Sequence, residues 1–156
     1  MKLSGKFGIL ATAAVLISTV PAHAQLEQYK DYDVSEAVWS ITTVKVDANM
    51  GEYYLEGLRS TWVASNEVAK DLGQIEDYAI YASDLPQSGD FNVLLVVKFA
   101  NTADLAPNKA KYDAFMKAWG NAHVKESRQI SKDLNPTIRT ITGEYLVREV
   151  EVELTD

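Results

Sequence analysis

From Val38 to Val46 the chain alternates, with Trp39 and Ile41 set against Ser40 and Thr42. A period of two, carried by Val, Ile and Thr, predicts a strand. Asp47-Ala48-Asn49 then turns the chain. From Met50 to Leu72 the period lengthens. Leu55, Leu58, Trp62, Ser65, Ala69 and Leu72 recur at helical spacing on one stripe, which predicts a long helix. Gly73 suits its end, because helices commonly close on a left-handed residue. Ile75 to Ser83 alternates again and predicts a second strand. The cluster Asp84–Asp90 predicts a turn. Phe91 to Phe99 predicts a third strand, and its run Val93-Leu94-Leu95-Val96-Val97 is apolar on both faces. A strand needs that when it is covered on both sides. After a loop from Ala100 to Asn108, Lys109 to about Ser131 predicts a second long helix. Phe115, Met116, Trp119, His123 and Ile130 lie along one side of it. Asn135-Pro136 breaks the chain. Glu144 to Leu154 predicts the last strand, with Leu146, Arg148, Val150, Val152 and Leu154 on one face and Glu149, Glu151 and Glu153 on the other. Residues 25–37 show no clear period and read as an N-terminal extension.

The order strand, helix, strand, strand, helix, strand is the ferredoxin-like βαββαβ arrangement. It predicts an α+β domain over residues 38–156, with one four-stranded antiparallel sheet and both helices on one face. The other face of that sheet is then uncovered, and the two-faced third strand calls for a cover. A second copy of the chain, sheet against sheet, supplies it as a homodimer.

The N-terminus changes the picture of where this domain works. Lys2 and Lys6 precede an uncharged apolar run from Gly8 to Val20, and Pro21 breaks it. Ala22-His23-Ala24 then offers small residues at the positions a signal peptidase reads. This is the pattern of a cleavable export signal over residues 1–24, with a mature chain from Gln25 that is periplasmic or secreted. A membrane anchor is the competing reading, but the run falls short of the roughly 20 residues that span a bilayer. No later stretch is apolar enough to span one. The formal charge of −7 becomes −9 without Lys2 and Lys6. Such a surface repels phosphate backbones, so nucleic acid is not an expected partner. The chain has no cysteine, which removes thiolate catalysis, iron–sulfur clusters and cysteine zinc sites. The mature chain keeps one histidine, His123. No metal site or cofactor is implied, and phosphate loops, G-x-S-x-G elbows and HExxH motifs are lacking. Asp31, Asp33 and Glu36 form an acidic cluster without the glycine and distal glutamate of a calcium loop.

The strand Val38–Val46, the helix bearing Tyr54, Leu58 and Trp62, the strand Leu94–Phe99 and the helix bearing Trp119 together resemble the dimeric α/β-barrel superfamily. That group includes antibiotic-biosynthesis-type monooxygenases, haem-degrading monooxygenases and many small exported proteins of unknown role. The resemblance runs from about Val38 to Leu154. It implies the fold and a sheet-to-sheet homodimer, and it does not license an activity. The haem-degrading members line one pocket with an Asn, a Trp and a His. Here His123 stands in the second helix as theirs does, but the first strand holds no Asn and the third holds Phe91 and Phe99 in place of Trp. That activity is not carried over.

Several residues are candidates for chemistry. His123, on the stripe of Phe115 and Trp119, suits a general base or a haem ligand; its plainer role is a partly buried core histidine. Trp62 and Asn66 sit one turn apart on the first helix near Arg59, and with Tyr54 they suit a planar, oxygenated ligand. Trp62 and Trp119 are core residues first and ligand platforms second. Tyr53, Tyr78 and Tyr81 add phenols that pack and hydrogen-bond. Arg148, among apolar neighbours, suits either a ligand carboxylate or an acid of a second subunit, since a lone cation facing a core is costly. The sequence therefore points to an exported protein holding a small apolar or aromatic ligand between sheet and helices. A cofactor-independent monooxygenase-like enzyme and a non-catalytic dimeric interaction module are the alternatives.

Overall fold

The computed structural model describes residues 25–85, 88–133 and 135–154. The export segment expected over residues 1–24 lies outside them. The chain opens with a short strand, β1 (Tyr32–Val34), and continues into β2 (Val38–Val46), the strand the alternation predicts. Helix α1 (Gly51–Leu58) runs through a π-helical segment (Arg59–Val63) into α2 (Ala64–Asp71). Strands β3 (Asp77–Ala82) and β4 (Val93–Phe99) follow, then a 3-10 turn (Thr102–Leu105). The long α3 (Lys109–Asp133) and the single turn α4 (Asn135–Ile138) lead into β5 (Arg139–Val147) and β6 (Val150–Val152).

The main sheet has the order β3-β4-β2-β5. Each neighbouring pair in it is antiparallel. The connection from β2 to β3 skips the place that β4 fills, which is the split βαβ unit of the ferredoxin-like fold. The helices cover one face. Val44 and Val46 of β2 and Val93 and Leu95 of β4 are buried there against Tyr54 and Leu58 of α1 and Ile138 of α4, with Trp62 and Ile80 packed at the edge. Each fully buried side chain of this size contributes roughly 1.5–3 kcal/mol, and in a chain without cysteine this cluster carries the stability.

Register assigns the opposite face. Ile41 stands beside Val96 and Tyr145, Trp39 beside Lys98 and Val147, and Leu94 beside Thr43 and Tyr81. These residues have odd places on β2 and even places on β4, so they point away from the helices. β4 is apolar on both sides, as expected, yet no element among the described residues packs on this second side. Tyr81 and Tyr145 remain 58% and 55% exposed.

The C-terminal strand differs from its prediction. β5 begins at Arg139, five residues before the predicted start, and stops at Val147. Arg148 and Glu149 interrupt it before β6. Gly143 hid the first half, because a glycine inside a strand pattern lowers its β signal. A side chain there has no room: a Cβ on Gly143 would stand 2.7 Å from the Tyr145 hydroxyl. The register shifts beside it, between Thr43 and Val44, the mark of a bulge. The Thr43 and Thr142 hydroxyls bond each other there at 2.8 Å. The N-terminal extension also differs. Its residues Tyr32–Val34 pair antiparallel with Val150–Val152 in a separate two-stranded ribbon. Among the described residues no helix is long and apolar enough to cross a membrane.

Candidate functional site

A cleft of about 440 Å³ opens between the helices and the sheet. The sheet floor contributes Leu95 and Arg139. Tyr54, Leu58, Thr61 and Trp62 come from α1 and the π-helical segment, and Phe115, Trp119, Ser127 and Ser131 from α3. Two local distortions shape it. The first is the π-helical segment, a widened turn of a type frequent at functional sites. Side chains take up carbonyl oxygens around it: Thr61 Oγ1 donates to Gly57 O at 2.7 Å, Ser65 Oγ to Trp62 O at 2.9 Å, and Asn66 Nδ2 to the same Trp62 O at 2.8 Å. The Trp62 ring then meets Tyr78 edge-on, with centroids 5.4 Å apart. The second is a kink in α3 at Gly120, whose φ of 79° and ψ of 154° are not helical. It divides the wall into an aromatic half before the kink and a hydroxyl-bearing half after it.

The phenol of Tyr54 is nearly sealed, at 2% exposure. Burial pushes its pKa up, against the opposing pull of the Arg139 charge. The guanidinium carbon of Arg139 lies 5.9 Å from the centroid of the Tyr54 ring. Phe115 stacks on Trp119 at 6.1 Å. On the rim side, Tyr78 donates a short hydrogen bond to Glu67. That bond, followed by burial, pushes the Tyr78 phenol up to about 12.

Of the residues singled out from the sequence, Tyr54, Trp62 and Trp119 stand together in the cleft wall. The others do not join them. Asn66 lies one turn past Trp62, and its amide N–H is spent on the Trp62 carbonyl. Arg59 is on the surface beside Glu56, at 3.8 Å. His123 corrects the stripe reading. A stripe running through Trp119 and His123 requires a continuous helix, and the kink at Gly120 interrupts it. Its ring still lies 4.9 Å from Trp119, but the residue is exposed rather than partly buried. Arg148 is corrected as well. It is exposed, sits in the break between β5 and β6, and donates from Nη1 to the carbonyls of Ser35 and Glu36 at 2.7 and 2.8 Å. It therefore does not face the core of its own chain; it fastens the N-terminal segment to the C-terminal ribbon. Arg139, Ser127 and Ser131 were missed. Arg139 falls between the Asn135-Pro136 break and the predicted last strand, and Ser127 and Ser131, though four and eight residues past His123, are not apolar and carry no burial signal.

Fold and cleft together define a ferredoxin-like α+β domain with a ligand-sized hollow under its helices. Solved structures of the same general course include a NIPSNAP family protein of unknown function from Agrobacterium tumefaciens. It is 11% identical, with 80% of this chain and 96% of that one covered and a TM-score of 0.45. An uncharacterized NIPSNAP-like domain protein from Burkholderia xenovorans is 10% identical over 77% of this chain and 87% of that one, with a TM-score of 0.42. A dimeric protein of unknown function and ferredoxin-like fold from Bacteroides fragilis is 16% identical over 78% of this chain and all of that one, with a TM-score of 0.41. Likeness this distant carries no activity, and the fold assignment stands on the strand order itself. No protein-family model matches the chain, and no curated protein matches it either.

Proposed function

We propose that this chain is an exported binding protein that holds a small, largely aromatic ligand in the cleft between sheet and helices, and that it works as a sheet-to-sheet homodimer. The observation that carries the reading is the wall itself: Tyr54, Trp62, Phe115 and Trp119 converge on a hollow of about 440 Å³. Cavities of a few hundred cubic ångströms, mostly apolar with a few polar groups, are the usual form of a small-molecule site. Export is supported by the three-part N-terminus, Lys2 and Lys6, then Gly8 to Val20, then Ala22-His23-Ala24. The homodimer is supported by the apolar second face of the sheet, where Ile41, Leu94, Val96 and Tyr145 lie together.

A native mass spectrum of the protein recovered from the exported fraction tests all three parts. The expected result is a dimer whose chains begin at Gln25 and which carries extra small-molecule mass. Chains retaining Met1 would overturn export. A monomer would overturn the dimer. If the bare protein also leaves aromatic fragments unbound in a broad calorimetric screen, the ligand reading fails.

A further inference from the structure

The cleft wall is chemically mixed. Trp62, Phe115 and Trp119 bring rings to it, and Arg139, Ser127 and Ser131 bring polar groups. Arg139 is the first residue of β5, opposite Val46 in register, and so points to the helix-covered face of the sheet. No ion pair holds its guanidinium among the described residues, and its Nε is buried without a hydrogen-bond partner. Ser127 Oγ, in the wall of the same cleft, is buried without a partner too. Leaving a buried polar group without a partner is costly, and more so when it is charged. Those two atoms are themselves sealed from the cleft space, but a permanent cation in the cleft wall with no counter-charge among the described residues matches a site whose missing partner is an anionic oxygen. Neutral phenol and hydroxyl groups surround the single charge, so a monoanion fits better than a dianion.

We infer that Arg139 forms the acid-binding end of the cleft, and that the ligand is an aromatic or apolar monocarboxylic acid. The inference rests on the cleft being a ligand site and adds the class of ligand. A carboxylate accepts the charge-assisted hydrogen bonds that guanidinium groups form best, while its apolar body packs against Trp62 and Trp119.

The test is calorimetric titration of the mature protein at neutral pH with matched pairs: naphthalene-1-acetic acid against naphthalene-1-acetamide, and indole-3-acetic acid against its amide. Each acid should bind about tenfold or more tightly than its amide, the range expected of a hydrogen bond to a charged group. In Arg139→Gln that preference should disappear while amide affinity is kept. Arg139→Lys should keep part of it. Retained amide binding shows that the variant still folds. Acid and amide binding equally to the wild type would overturn the acid end and leave the cleft standing. Neither member of any pair binding would overturn the cleft as an aromatic site and this inference with it.

Discussion

A single phenol ties helix to sheet at Tyr78, which donates to Glu67 on α2 while its ring meets Trp62. Its pKa is raised to about 12, above the value near 10 of an unfolded tyrosine. The stabilisation is therefore fully present below pH about 10 and lost as pH rises toward about 12. Replacing Tyr78 by Phe should cost about 1 kcal/mol at neutral pH, the scale of one hydrogen bond partly open to solvent. Urea melts of the two proteins between pH 7 and 12 should show that gap closing above pH 10; a constant gap would detach it from the phenol's proton. Trp119, 6% exposed, is the largest side chain that α3 buries. Trp119→Ala should cost about 3–5 kcal/mol, and an unchanged thermal midpoint would refute its place in the core. The sequence marked Trp119, Trp62 and Tyr54 because large rings at helical spacing have few places to go except inward. Arg139 carried no such mark, since a cation is ordinarily solvated and only the folded chain shows it under the helices without an acid.

At the scale of elements, both helices are interrupted where the sequence pattern looked continuous. The π-helical segment adds a residue to one turn, and Thr61, Ser65 and Asn66 absorb the consequences with their own donors. Hydrophobic spacing tolerates such a change, so the apolar stripe Leu58-Trp62 gave no sign of it. In α3 the interruption is Gly120, held at φ 79° and ψ 154°, a region essentially reserved for glycine. A Cβ there meets nothing within 4 Å, so the cost of Gly120→Ala is conformational alone. It should amount to about 1–3 kcal/mol, measured by chemical denaturation. A stability equal to the wild type would mean that α3 runs straight through residue 120, and His123 would then return to the stripe of Trp119. The ribbon of β1 and β6 was unreadable for a different reason. Three-residue strands are too short to show a period, and their pairing joins residues at opposite ends of the chain.

At the scale of the whole molecule, no element among the described residues covers the apolar second face of the sheet. Burying it in a second copy would gain about 25 cal/mol for each square ångström of apolar area removed from water. A carboxylate at its centre would have to be buried unpaired, which costs several kcal/mol. Val96→Glu should therefore convert the expected dimer to a monomer in light scattering, while the helix-side core, and with it the circular dichroism spectrum, stays intact. A dimer that survives the substitution would place the interface elsewhere.

The sequence by itself determined the order of the four main strands and the two long helical stretches, the span of β2 and the two-faced apolarity of β4, because these depend on periodicity along a few consecutive residues. From that order the ferredoxin-like topology followed, since few arrangements cover the helix-facing side of such a sheet. Only the tertiary structure decided where the helices break, that Arg148 binds backbone carbonyls, and that Arg139, Ser127 and the aromatic wall share one cleft. Those facts depend on which distant residues meet. A permanent charge declares itself as solvated or stranded only once its neighbours are in place.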